Sequence, residues 1–395
     1  MASFVQSLGL SLQISDPLWY SNRASYGAPG EIESWEHEIA ADGGYKSASF
    51  TIQADKQTVE RWLERGLGRH VECYDAALAG IGEYFVNRVV GNIGSLSVTR
   101  GPLLNVANLV GVAYTPYLDI CEPPETGTAT VTTLAEDATS QDLYGIQEVW
   151  VSGGTLIDDT TTANECGGGT LDNEAEEIRD AYLEENKEPE TTQEISFGGG
   201  GTSLTLDCLG YSAWLERYAY SASATGYTTA SAKLIDVLAS DPNLLLSQDF
   251  GYVQDNGILV KQEGTENRTA KAIIDEIVSM GDVNDSRWTF GIYAERKVYY
   301  SAIPTAIEYL HRLMDGRQAI ETTNGNTVFA WNVLPARWLF IPDFMVGRAK
   351  PITDLRLDPR CVFIESVRYT APYGLQISGA KVGRFAQLMA KKGLA

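Results

Sequence analysis

From Gly198 to Arg217 the chain reads Gly-Gly-Gly-Gly-Thr-Ser-Leu-Thr-Leu-Asp-Cys-Leu-Gly-Tyr-Ser-Ala-Trp-Leu-Glu-Arg, and this stretch narrows the choice of folds most. Leu204, Leu206 and Cys208 fall on one face of an extended segment while Thr205 and Asp207 fall on the other, which is the period-two pattern of a half-buried strand. The residues after Gly210 read as a short helix. The same order of parts occurs earlier: Gly43-Gly44 precedes Ala48-Ser49-Phe50-Thr51-Ile52, and a helical segment from Asp55 contains Trp62-Leu63-Glu64-Arg65, the residues found again at Trp214-Leu215-Glu216-Arg217. A second echo pairs Val112-Ala113-Tyr114-Thr115-Pro116-Tyr117 with Val367-Arg368-Tyr369-Thr370-Ala371-Pro372-Tyr373. Both recur in the same order, so the chain reads as two copies of one β-rich unit, the second interrupted.

At 395 residues more than one core is expected. Residues 1–118 alternate as short strands around one helix, capped by Asp55, buried through Val59, Trp62 and Leu63, and ended by Gly66, and they read as a first β-barrel. Residues 119–195 form an acidic α+β insertion whose firm element is a helix near 174–186, with Asn173 and Glu176 as a capping box and Leu171, Ala175, Ile178, Tyr182 and Leu183 as its apolar stripe. Residues 196–220 and 286–380 read as the second barrel, and 221–285 as a helical insertion within it. In that insertion, segments 231–238 and 268–280 have helical period, the latter through Ala270, Ile273, Ile274, Ile277 and Met280 with Gly281 as its stop. Trp288 to Tyr300 reads as a hairpin turning at Ala294-Glu295-Arg296-Lys297, and a terminal helix over 381–395 carries Val382, Phe385 and Met389. The fold class is mainly β, with two similar barrels and two smaller inserted domains.

With 44% hydrophobic residues the chain has the material for packed cores. It has no apolar run of membrane-spanning length, and Met1-Ala2-Ser3-Phe4-Val5-Gln6 has no basic region ahead of an apolar one, so a soluble protein made in the cytoplasm is expected. The net charge of −22 is concentrated: between Asp119 and Glu194, 20 acidic residues stand against Arg179 and Lys187. Such a surface lacks the basic footprint that nucleic-acid affinity needs. The one basic run, Lys381 through Arg384 to Lys391 and Lys392, suits a helix C-terminus.

The chemistry-bearing motifs are few. Cys73, Cys121, Cys166, Cys208 and Cys361 have no metal or disulfide spacing, and His37, His70 and His311 form no known metal motif. Gly210-Tyr211-Ser212-Ala213-Trp214 begins like a nucleophile elbow but lacks the closing glycine. Gly198 to Gly201 lacks the rest of a dinucleotide or phosphate loop. Asp158, Asp159, Asp172 and Asn173 surround a glycine-rich loop with hard oxygen ligands, but a solvated acidic loop accounts for them better than calcium does. No catalytic, cofactor-binding or metal residue is assigned, and no cofactor or enzymatic activity is expected.

Certain stretches carry a likeness to a known family. They are Trp35-Glu36-His37 with Gly43-Gly44 and Ala48-Ser49-Phe50; Asn108 to Tyr114; Tyr144-Gly145 with Asp180-Ala181-Tyr182-Leu183; Leu206 to Tyr211; and Trp288 to Tyr300. In their order the chain resembles the baseplate-hub or tail-tip hub proteins of long-tailed bacteriophages, a family that includes the hub part of type VI secretion spikes. The resemblance implies tail-tube-like barrels and a homotrimer joining a six-fold tail tube or distal tail ring to a three-fold tip or fibre protein. Two barrels per chain would then give six around the axis. It further implies a place in the virion tail, with DNA passing through the lumen without specific binding and no membrane insertion by this chain. The alternatives are a tail-associated glycan hydrolase, with two carboxylates across a pocket lined by Trp150 or Trp331, and a carbohydrate-binding module using exposed aromatic rings.

Overall fold

The computed structural model describes residues 4–5, 10–75, 77–120, 124–158, 173–196, 200–220, 226–262, 268–284, 286–314, 317–328, 332–341, 360–371 and 374–380. The chain is mainly β with α+β insertions, as its alternation requires. Its longer N-terminal strands are β1 (Leu10–Ser15), β2 (Ser25–Gly27), β3 (Glu31–Ala40), β4 (Gly43–Gln53), β5 (His70–Tyr74), β6 (Gly80–Ile93) and β7 (Leu96–Arg100), with helix α1 (Lys56–Arg65) between β4 and β5. Asp55 caps α1 by accepting from the Thr58 N–H, and Val59 and Trp62 are buried. The expected helix is therefore present with its expected stop at Gly66, whose N–H donates to the Trp62 carbonyl.

Next come β8 (Leu109–Asp119), helix α2 (Ala138–Tyr144), β9 (Glu148–Leu156), helix α3 (Glu174–Asn186), β10 (Thr191–Ile195) and β11 (Thr202–Leu209). The remainder comprises helices α4 (Ala230–Ala239) and α5 (Ala270–Met280), the hairpin β12 (Trp288–Ile292) and β13 (Val298–Ala302), then β14 (Ile307–Met314), β15 (Arg317–Thr322), β16 (Trp338–Phe340), β17 (Cys361–Thr370) and β18 (Gly374–Ala380).

Hydrogen bonding runs β2-β1-β5-β6-β11-β4-β3, with β7 beside the second half of β6 and β10 beside β7. Strand β11 has the alternation read from its sequence, and Leu204, Leu206 and Cys208 are buried. Its position differs from the expected one. It lies antiparallel between β4 and β6, with Leu204 opposite Ile52, Leu206 opposite Phe50 and Cys208 opposite Ala48. Residues 202–209 thus complete the N-terminal sheet instead of opening a second barrel, with Leu204, Leu206 and Cys208 in the same core as Ile52, Phe50 and Ala48. The echoed segments are neighbours in one core, and Trp214 to Arg217 lie in a 3-10 turn, not an α-helix.

The other echo also resolves differently. β8, expected to end the first barrel, pairs in parallel with β9 and antiparallel with short strands at Glu125–Thr126, Thr130–Val131 and Ala135–Glu136. It is the central strand of the acidic insertion, against which α3 packs through Val112, Leu156 and Ala175. The echoing residues 367–370 lie in β17, whose second half pairs with β3 and whose first half pairs with β16 on the same flank, while β18 occupies the other flank. Strand β14 pairs with β15 and, in parallel, with β16.

One large core unites the N-terminal sheet, α1, α4, α5 and the β12–β13 hairpin. A separate core forms from Tyr309, Ile320, Val333, Leu339, Ile364 and Val367. Two β modules thus exist, with 286–302 packed in the first. Among the described residues, strand pairing closes neither module into a ring, and no helix is long and apolar enough to cross a membrane. The expected helix over 381–395 lies outside the described residues.

Candidate functional site

Strands β5 and β6 form a hairpin whose register sets Glu72 opposite Glu83 and His70 opposite Phe85. Residues two apart on a strand share a face, so His70 and Glu72 point together and Glu83 joins them from the facing strand. His70 Nε2 lies 3.1 Å from Glu72 Oε1 and 3.3 Å from Glu83 Oε1. The ring's other nitrogen, Nδ1, is 2.6 Å from the Tyr211 hydroxyl.

Tyr211 reaches this point because Gly210 lets the chain after β11 graze β4: a Cβ at Gly210 would stand 1.6 Å from the Tyr45 carbonyl oxygen. Tyr74 donates to Glu72 Oε2 at 2.6 Å. Arg296 arrives from the β12–β13 turn, its backbone N–H donating to Glu83 Oε2 at 3.1 Å and its Nη1 lying 3.6 Å from Glu83 Oε1. That turn is the one expected at Ala294 to Lys297. Its central residues Glu295 and Arg296 have φ of 61° and 53°, the left-handed conformation of a type I′ hairpin without the glycine that normally accommodates it. The bonds from Arg296 to Glu83, and from Ser247 N–H to the Arg296 carbonyl at 3.1 Å, hold the strained turn in place.

Burial separates the two carboxyls. Desolvation pushes Glu83 above the usual carboxylate range, against the pull of His70 and Arg296. Glu72 is held below that range, chiefly by its hydrogen bond with His70. Burial pushes Tyr211 well up, so its hydroxyl keeps its proton at neutral pH. With Glu83 5% exposed and the Glu72 side chain 31% exposed, the cluster meets solvent through Glu72. It can hold a proton or a cation among three ligand atoms. Among the described residues it is the one group of three or more His, Cys, Asp or Glu side chains so gathered.

The residues weighed from sequence serve local structure. Asp158 is buried and accepts from the Tyr114 hydroxyl at 2.7 Å, and Asn173 caps α3; Asp159 and Asp172 lie outside the described residues. Ser212 is buried against Gly43. The Trp150 ring lies over Gly111 and its Nε1 donates to Glu148, while Trp331 lies outside the described residues. Cys73 and Cys208 are buried free thiols. The His70-x-Glu72 spacing within a strand was visible in sequence; Glu83 needed the hairpin register, and Tyr211 and Arg296 needed the tertiary fold.

No protein-family model matches this chain, and no curated protein matches it. Among solved structures it is similar to prophage tail protein gp18 from Listeria monocytogenes EGD-e, at 8% identity over 97% of this chain and 98% of that one, with a TM-score of 0.37.

Proposed function

We propose that this chain is a structural component of a bacteriophage tail, a trimeric hub that adapts a six-fold tube or distal ring to a three-fold tip or fibre protein. The observation that carries the reading is the seam at which β17 pairs with β3 through Ser366–Ala40, Val367–Ile39, Arg368–Glu38, Tyr369–His37 and Thr370–Glu36. It joins two β modules, each with its own core, into one chain. Three chains of two modules supply six positions around an axis, which suits a symmetry adaptor.

The motifs that carry the family likeness also meet in space. Asn108 is buried, donates to the Gly145 carbonyl at 2.8 Å and accepts from the Gln147 N–H at 2.8 Å, locking the Tyr144-Gly145 loop onto the strand it precedes. Trp35 and His37 lie at the seam, packed against Tyr369. In this role the chain surrounds the DNA exit channel, where an acidic or neutral wall lets a polyanion slide. It has no catalytic task.

Light scattering of the purified chain tests the assembly, with a mass three times that of the chain expected. A stable monomer at micromolar concentration, or a density map of the oligomer without three-fold symmetry, overturns the reading.

A further inference from the structure

We propose that His70, Glu72 and Glu83 bind one divalent transition-metal ion, with Zn²⁺ the ion best suited to the donor set. An imidazole nitrogen with two carboxylate oxygens gives three protein ligands, and the imidazole disfavours Ca²⁺ and Mg²⁺, which prefer oxygen alone. The spacing agrees with this choice. A tetrahedral ion with bonds of about 2.0–2.1 Å holds its ligands about 3.3 Å apart. His70 Nε2 is 3.1 and 3.3 Å from the two carboxylate oxygens, and all three ligand atoms lie within 4.8 Å of one another.

Each ligand is also gripped from behind, the condition that orients a metal site before the ion arrives. Tyr211 holds His70 Nδ1, Tyr74 holds the second oxygen of Glu72, and the Arg296 N–H holds the second oxygen of Glu83. The ligand atoms remain on the inner side. When the ion binds Nε2 of the neutral ring, the ring proton resides on Nδ1 and Tyr211 Oη accepts it. The Arg296 guanidinium, 3.6 Å from Glu83 Oε1, then moves to the outer shell while its backbone bond to Oε2 persists. Solvent reaches the site through the partly exposed Glu72, which gives the ion access and leaves a fourth position for water. The three ligands come from the paired strands β5 and β6, and the β12–β13 turn stays tied to Glu83 through the Arg296 N–H.

Calorimetric titration of the EDTA-treated full chain with ZnCl₂ tests the inference. One saturable site per chain is expected, weakened at least 100-fold in His70→Gln and in Glu83→Gln, and about 10-fold in Tyr211→Phe, the size of effect that loss of an outer partner produces. Absence of a saturable site, or equal affinity in the ligand variants and the unmodified chain, overturns it. Should the variants fail to fold, Mn²⁺ added to the unmodified chain decides: selective broadening of the His70 imidazole resonances supports the site. Equal broadening of His37 and His311, or none, overturns it.

Discussion

Arg368 donates to both carboxylate oxygens of Glu36, at 2.8 and 2.9 Å, across 332 positions of sequence. The pair caps the seam between the two modules on its solvent side, where the side chains are 50% and 37% exposed. Beneath it, Trp35, Ile39, Val367 and Tyr369 are buried. Exposed pairs contribute little and buried aromatic rings contribute much, so Glu36→Ala and Arg368→Ala should each cost no more than about 1 kcal/mol. Tyr369→Ala should cost about 3 kcal/mol or more. A double-mutant cycle in urea, repeated at high salt, checks this, and the Glu36–Arg368 coupling should shrink with salt.

Gly44→Ala should destabilise the junction of β4 with β12. Gly44 has φ of 77°, and a Cβ there would lie 2.4–2.9 Å from backbone atoms of Ile292. The backbone must yield at the parallel contact of Gly43 with Gly291 and Gly44 with Ile292. A loss of at least about 1–3 kcal/mol is expected, the usual cost of overpacking, read from the denaturation midpoint.

Glu295→Gly should have the opposite sign. Its left-handed backbone costs an L-residue about 1–2 kcal/mol, which glycine recovers less its larger loss of chain entropy. Its side chain, 74% exposed, pairs with the nearby Lys297 at the surface. A net gain of about 0.5–1 kcal/mol is expected, seen as a higher Tm, while Arg296→Gly should gain less or lose because it gives up the ion pair with Glu83.

Burial pushes the His37 imidazole from its ordinary value of 6.5 to about 4. The folded chain therefore keeps His37 neutral where the unfolded chain protonates it. The stability concerned is complete above about pH 6.5 and is lost as pH falls to about 4, by roughly 3 kcal/mol in all. Glu83, raised by burial, works with the other sign, its contribution growing as pH falls. The difference between the unmodified chain and His37→Gln isolates the histidine, and urea midpoints at pH 7 and pH 5 should converge for the variant.

What could be read from sequence was whatever short-range periodicity encodes. Ala270, Ile273, Ile274, Ile277 and Met280 are all buried on α5, and Gly281 ends it with φ of 67°. The hairpin turn at Glu295-Arg296 was legible from its polar residues. Helix α3 was legible as a helix and in the side it turns inward: Ala175 is buried, Ile178 packs against the same core, and Tyr182 and Leu183 are half-buried, while Leu171 lies outside the described residues. Strand partners were not legible. Leu206 suits the face opposite Phe50 no better than other alternating strands would, and only tertiary packing chooses between them. The same limit hid the His70 cluster, whose six contributing residues come from β5, β6, the turn after β11 and the turn after β12.

Strand β11 occupies a slot between β4 and β6 that the first hundred residues leave open. During synthesis, the earlier strands must wait while the whole acidic insertion is translated before their own sheet can become continuous, and β3 waits longer still for β17. Contacts so distant along the chain slow folding and leave unpaired edges exposed. An insertion this rich in carboxylates would oppose association of such a half-built chain by charge repulsion.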